Sequence, residues 1–350
     1  MFAEKHYPEG MIPEELDAYL ARGWYRMGQT IFTTHFLCFG RAFYSAIWIR
    51  LPLRGYQFRK SLRKALRRNE KRFQTRIGPA SLNQEKELLY RRYKASFPGI
   101  LAPSLKDSLM DGEEFNIYNT YEVAVYDQEE LVALSFFDLG KNSAASIMGI
   151  YDPSYSQYSL GFYTMLMEVE YSMQRGLLFF YPGYVVPGYN RFDYKLRIGK
   201  PEDIQYYDLR TTSWLPYPTL TPQEVPLRKM EIRLKEMQQF LIENNLWSQQ
   251  LYYPLFEANL FGFWNAPYFD YPAFLLCSPR MNANNYLMTV YDPREDNYQL
   301  LRCSLFDDLQ FYFNEAYTDS FDRNKHFLEL VVIEEVLASS PRPMEILQAF

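Results

Sequence analysis

The order of elements across residues 121–181 constrains the fold of this chain most. Tyr121–Tyr126, Leu131–Leu139 and Ser143–Tyr151 are three strand-like runs. Asp127-Gln128-Glu129-Glu130 and Gly140-Lys141-Asn142 separate them as turns, which predicts a meander of three strands. Ser159–Arg175 then carries apolar positions at Leu160, Tyr163, Met167 and Tyr171, and Gly176 follows it. Helical spacing closed by a glycine predicts a helix with an ordinary C-terminal stop. Leu177–Tyr181 reads as a short buried strand. The helix is bracketed by Tyr151-Asp-Pro-Ser-Tyr-Ser-Gln-Tyr-Ser-Leu-Gly161 and by a second glycine-containing turn in 181–195. A helix N-terminus so near a strand end presents free amides and suits an anionic or ester group.

The flanks extend this plan. Pro13-Glu14-Glu15 opens a short helix, residues 31–56 predict strands or a hairpin, and 82–96 predict a second helix. The 97–117 stretch, with Pro98 and Pro103, reads as loop with some helix, and 202–209 as a further strand. Helices, three antiparallel strands, a helix and a strand is the order of the GNAT-type acyltransferase fold. The fold class expected is therefore α+β, a mainly antiparallel sheet with flanking helices. A Pro-rich stretch, 214–226, ends this unit. Beyond it the sequence predicts a helix at 227–243, a hairpin at 285–303 and a helix around 322–338. Tyr291-Asp292-Pro293 echoes Tyr151-Asp152-Pro153 but in unlike surroundings, so it reads as turn chemistry. The expected division is a small N-terminal α+β region, 1–78, a GNAT-like domain, 79–213, and a mixed α/β C-terminal extension, 214–350, within the two or three domains that 350 residues suggest.

Charge is unevenly placed. The chain carries −5 overall, yet residues 54–76 hold ten Lys or Arg against Glu70 alone. Arg59-Lys60, Arg63-Lys64, Arg67-Arg68 and Lys71-Arg72 recur every four residues, with Phe58, Leu62, Leu66 and Phe73 on a narrower apolar stripe. This predicts an amphipathic helix reaching about residue 74, with one wide cationic face. Like charges four apart repel, so either a polyanion or acidic neighbours such as Glu85 and Glu87 should compensate; a nucleic acid would do so by counterion release. Aromatic content of 18%, with 31 Tyr and 27 Phe, reads first as packing and second as a surface that stacks on bases or binds peptide. Cys38, Cys277 and Cys303 are far apart, and His6, His35 and His326 are isolated; neither set has disulfide or metal-ligand spacing. The first residues lack a basic-then-apolar signal pattern, and the apolar stretch 31–53 is broken by His35, Arg41 and Arg50. The expected location is the cytoplasm, with no membrane partner.

Residues about 24–72 and 86–210 resemble the arginyl-tRNA–protein transferase family, which includes bacterial leucyl-transferring relatives. The matching pieces are Phe58-Arg-Lys-Ser-Leu-Arg-Lys-Ala-Leu-Arg-Arg-Asn69, Leu89-Tyr-Arg-Arg-Tyr93, Tyr151-Asp-Pro, Ser159-Leu-Gly161, Gly183-Tyr184 and Tyr194-Lys195, in the family's order and intervals. The resemblance implies transfer of an amino acid, arginine or leucine, from aminoacyl-tRNA to the N-terminus of an acceptor protein, marking it for degradation. The sequence departs from the family in three places. Only Cys38 stands where family members typically carry a metal- or cluster-binding cysteine set, so no metal or iron–sulfur cofactor is expected and aminoacyl-tRNA is the co-substrate. No histidine follows the Leu-Tyr-x-x-Tyr helix, and the usual Leu-Gly-Tyr is Pro182-Gly183-Tyr184.

The inferred chemistry is attack of an α-amine on an already activated ester, for which positioning and modest proton transfer suffice. Asp152, with Tyr151 beside it, is the catalytic candidate, to grip the incoming ammonium or take its proton; a turn cap before Pro153 is the plainer role. Ser159, Leu160 and Gly161 would turn backbone N–H groups toward the tRNA 3′ end or the oxyanion. Gly183, Tyr184 and Tyr194 would line the aminoacyl slot or stack on the terminal adenine. Lys195 and Arg197 would pair with an acidic N-terminal side chain of the acceptor, or stand solvated. Arg59, Lys60, Arg63, Lys64, Arg67 and Arg68 would hold the tRNA backbone. Two alternatives remain at this stage. One is a GNAT-like acyltransferase with another donor, although Ser-Gln-Tyr-Ser-Leu-Gly lacks the arginine and second glycine of a CoA pyrophosphate loop. The other is a non-catalytic binder of tRNA or N-terminal degrons.

Overall fold

A computed structural model describes residues 1–261, 266–278, 285–306 and 315–350. Its centre is an eight-stranded sheet in the order Ser213–Pro216, Gln205–Asp208, Ile47–Pro52, Phe179–Val185, Ser143–Tyr151, Glu130–Leu139, Thr120–Asp127 and Gln74–Pro79. The predicted meander is present, and all neighbours are antiparallel except one pair. Ser143–Tyr151 and Phe179–Val185 run parallel, because the helix Leu160–Gln174 carries the chain back across the sheet between them. Residues 47–52 and 74–79, expected in a separate N-terminal region, are strands of this same sheet. The sheet also runs on to Pro216, past the expected boundary at 213/214.

The parallel pairing is short. It joins Ser143 to Phe179, Ala144 to Phe180 and Ala145 to Tyr181, and there it stops. Each strand is irregular just beyond: the register shifts between Ser146 and Met148 on one side and between Phe180 and Gly183 on the other. Gly183, expected in a turn, is therefore inside a strand that runs four residues further than expected, at φ +97°. A bulge with a left-handed glycine bends its strand and ends regular pairing. The result is a gap in the sheet between 146–151 and 183–185.

Helices cover both faces. On one, Leu62 and Leu66 of the basic helix and Leu160, Leu166 and Val169 of the central helix pack on Val123, Val125 and Phe137. On the other, Leu89 and Tyr90 of the helix Gln84–Ser96 and Leu105 of Leu105–Met110 pack on Leu134, Phe136 and Ile150. Tyr25 stacks on Trp48 there at 3.8 Å between ring centroids. The basic helix itself is Lys60–Glu70, shorter than the expected span to 74 because Gln74–Pro79 is drawn into the sheet edge.

The C-terminal part builds an antiparallel five-stranded sheet, Gln249–Tyr252, Ala273–Leu276, Tyr286–Asp292, Asn297–Leu305 and Val331–Ser340. Leu227, Met230, Leu234, Met237 and Leu241 line the buried face of the helix Pro226–Glu243 against it. The predicted hairpin is present. The helix expected around 322–338 is instead largely the strand Val331–Ser340, paired along Asn297–Leu305. Val331, Val332, Ile333 and Val336 are β-branched and gain more from a strand partner than from helix propensity. Among the described residues, no helix is long and apolar enough to cross a membrane.

Candidate functional site

The basic helix presents its cations to solvent. Leu62, Leu66 and Asn69 are buried, while Arg59, Lys60, Arg63, Lys64, Arg67, Arg68 and Lys71 are exposed. Among the described residues none of these seven forms an ion pair; Arg72, past the helix end, pairs with Asp127 at 2.8 Å. Glu87, considered as a balancing charge, is spent elsewhere: its carboxylate accepts from the Leu105 and Lys106 amides and caps a neighbouring helix. Among the described residues the cationic face stays uncompensated.

That helix lies beside the start of the central helix, and a cleft of about 330 Å³ opens between them. Arg59, Ser61, Arg68, Tyr158, Ser159, Phe162 and Arg197 are among its lining residues. The edges are tied by side chains: Arg59 Nη2 donates to Arg197 O at 3.3 Å, Arg68 Nη2 to Gln157 O at 3.1 Å and Asn69 Nδ2 to Tyr158 O at 3.2 Å. Ser159 is the N-cap in the left-handed region, φ +52°, and its hydroxyl makes no capping bond. Its carbonyl accepts from the Phe162 and Tyr163 amides, while the first-turn amides of Leu160 and Gly161 have no intrahelical acceptor. A side chain at Gly161 would meet the Tyr151 ring at 3.2 Å, so a bare glycine keeps Tyr151 against the helix start. The Arg197 guanidinium lies 4.7 Å over the Phe162 ring. Arg59, Arg68, Ser159 and Arg197, far apart in sequence, thus share one cleft.

Asp152 takes the plainer of its two expected parts. It is 8% exposed. One oxygen accepts from the Ser154 amide at 2.9 Å and hydroxyl at 2.6 Å, and the other pairs with Arg92 Nε at 3.1 Å. Burial pushes its pKa up, but the Ser154 bonds and Arg92 outweigh it and hold the carboxyl below the usual range. A carboxylate so engaged is a poor proton acceptor near neutral pH. Tyr151 stands 5.5 Å from the Tyr93 ring.

The gap in the sheet gathers the remaining candidates. A Cβ at Gly183 would lie 2.9 Å from Lys195 Nζ; the glycine leaves room for that ammonium. Lys195 Nζ donates to Tyr184 O at 3.1 Å and lies 5.1 Å and 5.2 Å from the Tyr184 and Phe192 ring centroids. Expected as exposed or solvated, Lys195 is drawn inward, and burial pushes its pKa down to about 8. Arg197 stays exposed. Burial raises the Tyr194 hydroxyl pKa, followed by the electrostatic influence of Tyr93, Glu168 and Tyr184. Tyr184 also feels Glu257 of the C-terminal part, whose own carboxyl burial lifts to about 7.

Sequence reasoning missed Glu168. It lies on the inner face of the central helix at 0% exposure, with Thr164 and Ser172, also 0%, above and below it. No hydrogen bond reaches either carboxylate oxygen. The Ser135 and Ser146 hydroxyls are near enough to pull its pKa down, but the larger burial effect pushes it up to about 8. The signal was present as Gly161, Thr164, Glu168 and Ser172, a polar stripe at helical spacing on a helix otherwise apolar inward.

Residues 72–205 match the family of the arginine-tRNA-protein transferase C terminus, a span that holds the central helix, the gap, Lys195 and Arg197. The match covers less than half of the chain and, with the relatives below, supports a place in the arginyl/aminoacyl-tRNA–protein transferase family. It is similar to the aspartate/glutamate leucyltransferase of Leptospira interrogans, 26% identical over 194 residues, covering 54% of this chain and 74% of that protein. The enzyme of the same name from Vibrio cholerae is 29% identical over 192 residues, covering 54% and 80%. Among solved structures, FemX overlaps 54% of this transferase and 65% of its own chain, at TM-score 0.34 and 10% identity. The C-terminal domain of a putative lysylphosphatidylglycerol synthetase from Agrobacterium fabrum overlaps 40% and 46%, at TM-score 0.33 and 11% identity.

Proposed function

We propose that this transferase moves leucine from leucyl-tRNA to the α-amine of proteins that begin with Asp or Glu, and so marks them for degradation in the cytoplasm. Transfer of an aminoacyl group from tRNA to a protein N-terminus follows from the family. The choice of leucine over arginine, and of acidic acceptors, rests on the name that the Leptospira and Vibrio relatives share. One observation carries the assignment of the site: the uncompensated cationic helix and the open start of the central helix border a single cleft.

The cations at Arg59, Lys60, Arg63, Lys64, Arg67 and Arg68 hold phosphates of the acceptor arm without reading its sequence. Ser159, Leu160 and Gly161 offer first-turn amides to the 3′ end, where they meet a phosphate or the oxyanion of the attacked ester. The aminoacyl group enters the gap past Gly183, between Tyr184 and Tyr194. Lys195, with no carboxylate partner among the described residues, receives the acidic side chain of the acceptor. Asp152 shapes the turn that leads into the helix. The arrangement is GNAT-like in that a helix crossover joins the one parallel pair, and that pair parts beside the helix N-terminus. No resident cofactor takes part in this reading, because Cys38 alone stands where the family carries its cysteine set.

The test mixes purified protein with peptides beginning with Asp, Glu or Ala and with tRNA carrying labelled leucine or arginine. Transfer of leucine to the Asp and Glu peptides is expected. Transfer of arginine alone would correct the donor. Absence of transfer from either, with tRNA still bound, would replace the enzyme by a binding module.

A further inference from the structure

Glu168 stands out among the buried groups because, among the described residues, serine hydroxyls and no cation stand beside it. Placing a carboxylate inside a protein without a hydrogen bond is costly, and both Glu168 oxygens lack one. The hydroxyls nearest in sequence are turned to the backbone instead: Thr164 Oγ1 donates to Gly161 O at 3.1 Å and Ser172 Oγ to Glu168 O at 2.7 Å. From the strands, Ser135 and Ser146 face the carboxylate. From Asn190–Ile198, Tyr194 faces it. Glu70 of the basic helix acts on Tyr163 and Glu170, not on Glu168. Among the described residues no cation pulls its pKa down.

The position is as telling as the missing partners. Ser146 is where Ser143–Tyr151 loses its register, just past the last parallel pair. Glu168, which acts on Tyr194 and feels Ser146, is therefore buried near the point where the parallel pairing ends. Tyr194, itself 37% exposed, acts on this carboxylate electrostatically. The helix packs close to the sheet at Gly149, with Thr164 Oγ1 3.6 Å from where a Cβ would be.

We propose that Glu168 is the proton acceptor for the α-ammonium of the acceptor protein; this rests on the transferase reading above. The ammonium enters the gap and gives one proton to a Glu168 oxygen. The freed nitrogen bonds to the ester carbonyl carbon, and the bond from that carbon to the ribose oxygen breaks. The ribose oxygen leaves with the second proton of the nitrogen, and Glu168 returns its own proton to water. A carboxyl lifted to about 8 is matched to an amine of ordinary pKa about 7.7–8.0, the condition under which transfer between them is efficient. Asp152, held low by Ser154 and Arg92, does not meet it.

Two measurements on Glu168→Gln in the full chain test this. In single-turnover transfer from charged tRNA, the variant should be slower by about 10²–10⁴-fold at saturating acceptor. Its pH profile should keep only the ionisation of the acceptor amine, about 7.7–8.0, where the wild type shows a second group, and it should bind tRNA as the wild type does. In calorimetry without tRNA, it should bind an Asp-initiated peptide about tenfold more weakly than the wild type does, and the acetylated form of that peptide equally well. A melting curve confirms that the variant is folded. Transfer within twofold of wild type with an unaltered pH profile would overturn the assignment, as would equal weakening for both peptides. If the wild type transfers nothing, the transferase reading itself fails, and the peptide comparison alone decides whether Glu168 receives an ammonium.

Discussion

At the scale of single residues, the site rests on side chains placed against their own preference. Glu168 and Lys195 are both drawn in from water, and their pKa values move in opposite senses to about 8. The consequence for Glu168 is a stability that depends on pH. Its folded pKa is raised, so the folded state holds a proton that the unfolded chain gives up above the ordinary value of 4.5. Stability from this group is complete below that value and is lost as pH climbs to about 8. Glu168→Gln should flatten the decline, which denaturant midpoints measured from pH 4.5 to 8.5 would register; an unchanged slope would place the titration elsewhere. Gly183 has a different constraint. It sits at φ +97°, and Lys195 Nζ lies 2.9 Å from where a Cβ would stand. Gly183→Ala should therefore cost about 1–3 kcal/mol and displace the ammonium. Denaturation would show the first, and a lost preference for Asp- over Ala-initiated peptides the second.

At the scale of elements, the basic helix carries little of the fold and much of the charge. Leu62 and Leu66 anchor it, while the exposed Arg63, Lys64, Arg67 and Arg68 repel one another along its outer face. Replacing those four with Ala should change the melting temperature little, since better helix propensity and relieved repulsion offset the lost Arg68 bond to Gln157 O. Affinity for tRNA should fall, and the slope of log affinity against log salt should flatten by up to about 3–4. A slope equal to the wild type's would remove this helix from the interface.

At the scale of the whole molecule, the N-terminal strands and the C-terminal sheet share one core. Phe2 and Phe36 pack among Phe256, Tyr271 and Leu227. The Phe2 amide donates to Asp270 Oδ2 at 2.5 Å, and the Leu227 amide to Ser45 Oγ at 2.9 Å. Glu257, from the C-terminal part, reaches Tyr184 at the gap electrostatically. A chain ending at Pro216 should therefore expose this apolar cluster and lose its cooperative unfolding transition in calorimetry. A sharp transition retained by that shortened chain would show that the eight-stranded sheet is independent of the five-stranded one.

Local signals made much of this legible in advance. Alternation and turn residues marked the meander, and helical spacing closed by Gly176 marked the central helix. The four-residue recurrence of Arg and Lys marked the cationic helix. Each depends on neighbours within about a turn or a hairpin, so the sequence by itself determined them. What it could not determine was anything that depends on pairing at a distance. Val331–Ser340 became a strand because Asn297–Leu305 offered it an edge. Gly183 entered a strand because Ile47–Pro52 lay beside it. The gap exists because two strands linked through a helix pair for three residues and then part. Burial of Glu168 and Lys195 follows from that gap, and burial sets their proton affinities; only the tertiary structure decided it, because desolvation is a property of the surroundings and not of the residue.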